Sequence, residues 1–237
     1  NVTVTDPEDG TVNCSEVQVT FVLGHDTHGH AEETTTGCSG VLHTNADDVS
    51  HGGNVFGVIS ASYTDHGGPG GVPSLSTTGQ NQIRQKHQEV EFAVSQSGTN
   101  TATNTDGGPT PPGTAGVHRG SLGAGDWILL NGPFNLVNIN SVTFRVADAA
   151  AGRTAGSPLA AIEVHQDAPN GPVVMTANLT STGGTAAWSS QPFPISLSGK
   201  HDLYLVFQAV AGGSTGGNLF NLNWAEFNGQ GIGVPPA

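Results

Sequence analysis

Hydrophobic and polar residues alternate along the first third of the chain, which is the pattern of half-buried β-strands. Residues 2–5 read Val-Thr-Val-Thr, and apolar residues again occupy every second position from Val17 to Leu23. A period of two places these apolar side chains on one face of a strand. Between the two strands, Asp-Pro-Glu-Asp-Gly at residues 6–10 has proline and glycine where a chain reversal needs them. We expect residues 1–84 to form a small β-sandwich of the immunoglobulin type.

The rest of the chain, residues 85–237, continues with short alternating segments that are broken by glycine and proline. No segment longer than one helical turn repeats apolar residues at a period of 3.6, so the whole chain is expected to be all-β. A low-complexity stretch from Ser95 to Gly116 is predicted to be a long exposed loop. Strands are predicted after it at residues 126–130, 141–146, 160–166, 173–179, 188–195, 203–208 and 221–227.

The charge balance narrows the possible partners. Six Lys and Arg stand against 19 Asp and Glu, which gives a net charge of −13. Such a surface repels phosphate backbones, so nucleic acid is not an expected partner. No apolar run approaches the ~18 residues of a membrane span, so a membrane is not expected either. The excess of carboxylates either serves hard cations such as calcium or only aids solubility.

The two cysteines, Cys14 and Cys38, both lie in the first predicted domain. In a chain rich in Gly and Thr and poor in Lys, we interpret them as a disulfide of a secreted, extracellular protein. A crosslink over this loop is worth about 3–4 kcal/mol in the chain-entropy model. Two buried free thiols are the alternative.

Histidines cluster directly after the strand that ends near Leu23. His25, Asp26, His28 and His30 place three imidazoles and a carboxylate within six residues. Imidazole is a ligand that suits zinc or copper, so this loop is a candidate site for either metal. The alternative is a loop in which these side chains hydrogen-bond to one another and to the backbone.

Five sequence blocks in the second part of the chain occur in a particular order and spacing. They are Gly-Asp-Trp-Ile at 125–128, Val-Thr-Phe-Arg-Val-Ala at 142–147, Ser-Thr-Gly-Gly at 181–184, Asp-Leu-Tyr-Leu-Val-Phe at 202–207 and Phe-Asn-Leu-Asn-Trp-Ala-Glu-Phe at 220–227. This succession resembles the carbohydrate-binding modules of family 6. The resemblance implies a jelly-roll β-sandwich for residues 85–237. It also implies non-catalytic binding of a polysaccharide in a secreted protein, and no enzyme activity.

The resemblance also implies positions for the sugar site. Family members present one aromatic ring before the Gly-Asp-Trp block, a second after Thr-Gly-Gly, and an amide near the last strand. The matching positions here are Ser121 and Thr185 for the rings, and Asn221 or Asn223 for the amide. Trp127 is a further candidate, with a place in the core as its alternative. Because Ser121 and Thr185 are not aromatic, a structural or self-assembling surface protein that has lost the sugar site is the rival interpretation.

Family 6 modules commonly hold a structural calcium where the first and last strands meet. By resemblance, its ligands here are Glu89 and Glu91 with Asn223 or Glu226. In a strand, the spacing of Glu89 and Glu91 puts both carboxylates on one face. The alternative is that the two acids only line an exposed edge strand.

The first domain has a second, separate resemblance. Residues 6–10 together with Leu-Gly-His-Asp-Thr-His-Gly-His at 23–30 resemble accessory regions of large secreted actinobacterial proteins of the sugar-oxidoreductase type. No function follows from it. The chain also lacks a phosphate-cradling loop with its lysine, so its sequence favours binding over catalysis.

Overall fold

The computed structural model describes residues 1–25, 28–44, 55–103, 105–106 and 116–232. The chain divides into two compact units, Asn1–Gln85 and Lys86–Ala237. This division lies one residue from the boundary expected from the sequence. No helix in the described ranges has the length and apolar character needed to cross a membrane.

Unit 1 contains one four-stranded antiparallel sheet with the order β2-β1-β3-β4. Its strands are β1 (Gln18–His25), β2 (His28–Thr36), β3 (Val55–Thr64) and β4 (Ser76–Arg84). The alternation from Val17 to Leu23 becomes the buried face of β1, as predicted. The sequence suggested an immunoglobulin-like sandwich, which has two sheets. In the described residues of unit 1 there is one sheet.

The N-terminal segment of unit 1 covers the sheet without forming a strand. Val2 and Val4 pack against the buried cluster of Val17, Val19 and Tyr63. The predicted strand at residues 2–5 is therefore wrong, although its apolar positions were the correct ones. Beyond it, the Asp6 carboxylate accepts hydrogen bonds from the backbone N–H groups of Glu8 and Asp9, which closes a tight turn.

The expected disulfide between Cys14 and Cys38 is present. Cys14 begins a short 3₁₀ turn, Cys14–Glu16, just before β1, and Cys38 follows the end of β2. The bond therefore joins the two chain segments at the open end of the β1–β2 hairpin.

Unit 2 is a sandwich of two antiparallel sheets, as the jelly-roll prediction required. One sheet has the order β14-β11-β17-β8-β7, with β5 also paired to β17, and the other has the order β13-β12-β16-β9-β6. A short pair, β10-β15, lies outside both sheets. The strands are β5 (His87–Glu89), β6 (Ser95–Ser97), β7 (Asn100–Thr103), β8 (Val117–Gly120), β9 (Trp127–Leu129), β10 (Phe134–Asn135), β11 (Ile139–Asp148), β12 (Pro158–Gln166), β13 (Val173–Thr180), β14 (Ser189–Pro194), β15 (Lys200–His201), β16 (Leu203–Gln208) and β17 (Phe220–Gly229).

The core of unit 2 lies between the two sheets. Alternate residues of β11, from Val142 through Phe144 to Val146, are buried there. The opposite sheet contributes Phe207, whose ring meets that of Phe220 edge-on at 5.6 Å between centroids. Period-two alternation on both sheets thus supplies one continuous apolar layer, which is what holds a sandwich together.

Two local predictions in unit 2 are wrong. The stretch from Ser95 to Gly116 is not one loop, because β6 and β7 both lie in it. The predicted opening strand at residues 89–92 ends at Glu89, and Val90–Phe92 form one turn of 3₁₀ helix. The buried guanidinium of Arg119 donates to the carbonyls of Val90 and Glu91, and these bonds replace a strand partner for that segment.

Candidate functional site

The two positions that match the family's aromatic rings lie outside the strands of unit 2. Ser121 directly follows β8, is partly exposed and has a left-handed backbone with φ 54°. Thr185 is exposed in the segment between β13 and β14. Neither side chain offers a flat apolar face for a sugar ring, so the stacking surface must come from other residues or be missing.

The two candidate amides lie on β17 and are already engaged with protein groups. Asn221 donates to the Asp148 carbonyl at 3.4 Å, and Asn223 donates to the Asp106 carboxylate at 3.2 Å. Both residues are buried. The Oδ1 atom of Asn223 is buried and has no hydrogen-bond partner within the described part of the chain.

A cluster that the sequence analysis did not identify connects these positions. We call it the Trp188 patch; its residues are Thr105, His118, Thr185 and Trp188. The indole Nε1 of Trp188 donates to the Thr105 hydroxyl at 3.0 Å, and that hydroxyl donates to the Thr185 carbonyl at 3.3 Å. The His118 ring meets Trp188 edge-on at 5.3 Å. The patch therefore places one half-buried aromatic ring beside Thr185.

Charge at the Trp188 patch is balanced within the protein. Burial lowers the pKa of His118, while a hydrogen bond with Asn221 works in the opposite direction. The imidazole is therefore neutral at neutral pH. Next to the patch, Asp106 forms an ion pair with Arg145, and this hydrogen bond raises the pKa of the arginine. A neutral imidazole and two threonines around an indole suit an uncharged polyol better than an ion.

Trp127, the remaining sugar-binding candidate, lies away from the amides. It belongs to β9 in the other sheet, where its ring meets Tyr204 edge-on at 5.3 Å. The structure thus brings Thr185, Asn221 and Asn223 into one contact network and leaves Trp127 out of it. Trp188 follows the Thr-Gly-Gly turn by only four residues, which could have identified it. Thr105 lies in a low-complexity stretch that carries no such signal.

The expected calcium ligands divide into two pairs. Glu89 ends β5 and lies opposite Trp224 of β17, and Glu91 follows in the 3₁₀ turn. Both carboxylate oxygens of Glu91 are buried without a hydrogen-bond partner in the described ranges. Burial, reinforced by the nearby Glu89, raises the pKa of Glu91 to about 7. Two acids held together in this way, one of them unsatisfied, fit a hard cation.

The other two expected calcium ligands have different neighbours. Glu226 lies 3.7 Å from Nδ1 of His87, whose Nε2 is 3.0 Å from Glu89. Asn223 turns its amide toward Asp106. The pair Glu89 and Glu91 therefore fits calcium better than the full set of four.

The described histidines of unit 1 fall into one cluster of three and two that lie elsewhere. His25, His28 and His30 come together with ligand atoms no more than 4.8 Å apart. Asp26, predicted to join them, lies outside the described residues. His43 and His66 contact carboxylates elsewhere, those of Glu33 and Asp9.

Comparison with known proteins identifies the second unit. Residues 89–229, more than half of the chain, match the model of the carbohydrate-binding modules of family 6. The chain belongs to this family. A family 6 module is a non-catalytic carbohydrate-binding module, and the family resemblance predicted from the five sequence blocks is confirmed. Residues 1–88 lie outside the match, and their resemblance to actinobacterial accessory regions stays a prediction.

Two relatives of the family 6 module are arabinoxylan arabinofuranohydrolases. That of Bacillus subtilis is 33% identical over 112 residues, 46% of this chain and 20% of the relative. That of Paenibacillus polymyxa is 32% identical over 143 residues, 59% of this chain and 20% of the relative. The chain thus spans about a fifth of the length of the curated relatives it matches.

Two solved structures are similar to this chain, and the one with the higher TM-score shows the same fold. The family 43 arabinoxylan arabinofuranohydrolase of Bacillus subtilis, in complex with cellotetraose, aligns with a TM-score of 0.51 at 24% identity, over 74% of this chain and 38% of that one. A family 6 module from Clostridium cellulolyticum in complex with xylose is 30% identical, with a TM-score of 0.47, over 61% of this chain and 97% of that one.

Proposed function

We propose that unit 2 binds a polysaccharide without cleaving it, as the glycan-binding module of an extracellular protein. The observation that carries this proposal is the family 6 match over residues 89–229. The disulfide of unit 1 supports an oxidising, extracellular location. The curated relatives act on arabinoxylan by name, and one structural neighbour was solved with cellotetraose. Polymers of xylose or glucose are therefore the first ligands to test.

The Trp188 patch is the proposed contact surface for the sugar. Its indole supplies the aromatic face that Ser121 and Thr185 lack, and aromatic rings give large contact area at low entropic cost. The exposed Thr185 side chain supplies a hydroxyl group for hydrogen bonds with the sugar. Because only one ring is present instead of two, binding is expected to be weak.

Loss of sugar binding is the competing outcome. Its basis is the same pair of residues, Ser121 and Thr185, which replace both rings of the family's usual cleft. In that case unit 2 serves as a structural sandwich in a surface or matrix protein that can self-associate. Measurement of both glycan retention and oligomeric state distinguishes the two functions.

Affinity electrophoresis of the full chain in gels containing arabinoxylan, β-glucan or agarose tests the proposal. Retardation in at least one gel, lost in Trp188→Ala and retained in Trp127→Ala, supports binding at the Trp188 patch. The two tryptophans are matched, since both are half-buried, and they lie apart: Trp127 is on β9 and Trp188 comes just before β14 of the opposite sheet. Retardation lost only in Trp127→Ala places the sugar on the other sheet. No retardation in any gel, with calcium present, contradicts glycan binding. Release of reducing sugar from these polymers would contradict the non-catalytic role.

A calcium ion at Glu89 and Glu91 is the proposed stabilising cofactor of unit 2. Its support is the pair of buried Glu91 oxygens without hydrogen-bond partners in the described part of the chain. Calcium supplies positive charge to these acids and accepts further oxygens from the backbone.

A further inference from the structure

Three histidines converge at the tip of the β1–β2 hairpin in unit 1. His25 ends β1 and lies opposite His28, the first residue of β2, while His30 lies opposite Leu23. Opposite residues of an antiparallel pair, and residues two apart in one strand, point to the same face. The strand register therefore holds all three rings on one side of the hairpin.

The ring nitrogens have the spacing of ligands that share one ion. The ring centroids are 4.1, 5.1 and 5.4 Å apart. Nε2 of His25 lies 3.2 Å from Nε2 of His30. Two nitrogens that bind one tetrahedral zinc at ~2.0–2.1 Å lie ~3.3 Å from each other. Little movement of these rings is needed to admit a metal.

Burial and charge both favour a cation here. His25 is 6% exposed, whereas His28 and His30 face solvent, so an ion has an anchored ligand and an open path. The first 65 residues contain ten Asp and Glu, and no Lys or Arg precedes Arg84. The field of such a unit attracts divalent cations and repels anions.

Unit 1 has a small core, so a metal ion would add a second stabilising crosslink beside the disulfide. Its buried apolar side chains in the described part of the chain are few: Val17, Val19, Phe21, Leu23 and Tyr63. Small domains with small cores commonly add disulfides or metal ions. The disulfide closes the open end of the β1–β2 hairpin, and the histidines lie at its other end.

We propose that His25, His28 and His30 bind one borderline divalent cation, Zn²⁺ or Cu²⁺, with water in the remaining position. Imidazole nitrogen suits these ions, whereas Ca²⁺ and Mg²⁺ require oxygen ligands. The competing state is a neutral hydrogen bond between His25 and His30, which the same 3.2 Å separation allows. A metal titration separates the two states.

The test uses the full chain without a histidine tag, stripped with a chelator and then freed of it. Calorimetric titration with Zn²⁺ or Cu²⁺ should show one ion bound per chain, and Mg²⁺ should not compete for it. Loss of a residue that only hydrogen-bonds to a metal ligand already weakens metal binding by ~10-fold or more. His28→Gln and His30→Gln remove ligands themselves, so each should weaken binding by more than ~10-fold. His43→Gln is the matched control, an exposed histidine of the same unit, and should bind as the parent does. With Co²⁺, the parent should show the visible absorption bands of a tetrahedral site.

Each contrary result overturns the site. Binding of less than one ion per chain leaves only the hydrogen bond between His25 and His30. Undiminished binding in the double variant His28→Gln/His30→Gln assigns the ion to other residues. Because both substituted side chains are exposed, the variants should remain folded, and far-ultraviolet circular dichroism checks this.

Discussion

Asp106 and Arg145 form a bidentate ion pair, with Nε and Nη2 of the arginine 2.7 and 2.8 Å from the two carboxylate oxygens. The Asp106 side chain is only 6% exposed, and Arg145 is 24% exposed. The same carboxylate accepts from Asn223 of β17. The pair thus ties the segment of Thr105 and Asp106 to the outer face of the sheet, beside the Trp188 patch.

Arg145→Gln should destabilise unit 2 because it leaves the Asp106 carboxylate buried without its counter-charge. We expect a loss of about 2 kcal/mol in the free energy of unfolding, the scale of hydrogen bonds to charged groups. All three tryptophans lie in unit 2, so their fluorescence during urea unfolding measures this loss. In a double-mutant cycle with Asp106→Asn, the two losses should not add. Additive losses would show that the pair contributes nothing as a pair.

Removal of the disulfide should weaken unit 1 alone. Cys14→Ser/Cys38→Ser opens a loop with a sequence separation of 24. The chain-entropy model gives a loss of about 3–4 kcal/mol. Hydrogen exchange of peptides from β1 and β3 should accelerate, whereas tryptophan fluorescence should report unchanged stability of unit 2. An equal effect on both units would contradict the division of the chain into two compact units.

Glu91→Gln distinguishes a calcium ligand from a merely buried acid by the sign of its effect. If calcium binds, the parent melts at a higher temperature with calcium than with a chelator, and Glu91→Gln abolishes that difference. If no ion binds, the neutral amide relieves the unpaired buried carboxylate, and the variant melts higher than the parent under both conditions. Glu163→Gln is a matched control on the other sheet and should keep the parent's response to calcium. The second result would remove calcium from the proposal.

Much of the fold was predictable because it depends on local periodicity. The alternation from Val17 to Leu23 and that of Val142, Phe144 and Val146 each became the buried face of a strand. The five spaced blocks predicted the jelly-roll unit and its family. Residues 2–5 show the limit of this reasoning. A period of two indicates which side chains are buried but not whether a neighbouring strand is available to pair with them.

The candidate site was harder to predict because long-range contacts position it. The low-complexity stretch has no hydrophobic pattern, yet Asp106 is held by Arg145 from 39 positions away. Glu89 and Glu91 were expected on one strand face, but the Arg119 guanidinium turns the chain between them. The histidines were predictable because two strands that follow each other in the chain pair and bring them together. Spacing along the chain can therefore identify side chains that neighbouring segments bring together. It cannot identify side chains that long-range contacts bring together.

The stability of unit 1 should fall as pH rises above ~6.5, because of His66. Its Nδ1 lies 3.0 Å from the Asp9 carboxylate, and its Nε2 lies 3.5 Å from that of Glu16. The hydrogen bond and the charge of Asp9, followed by Glu16 and Asp65, raise the pKa of His66 above its ordinary 6.5. A raised pKa means that the folded state holds the proton more tightly than the unfolded state. The stabilisation is therefore complete below pH ~6.5 and is lost as pH rises through the pKa of folded His66.

The ionisation of Asp9 should determine the lowest pH at which the Asp9–His66 contact still stabilises unit 1. The Tyr63 hydroxyl and His66 both donate to it, and these hydrogen bonds lower the pKa of its carboxyl, so its contribution is lost only at strongly acidic pH. Hydrogen exchange of peptides covering residues 55–66, measured between pH 6 and 9 and corrected for intrinsic rates, should show weaker protection at the alkaline end. His66→Gln should abolish this trend, whereas His43→Gln, which removes an exposed histidine elsewhere in the unit, should keep it. A parent whose corrected protection does not change across this range would show that the Asp9–His66 contact does not stabilise unit 1.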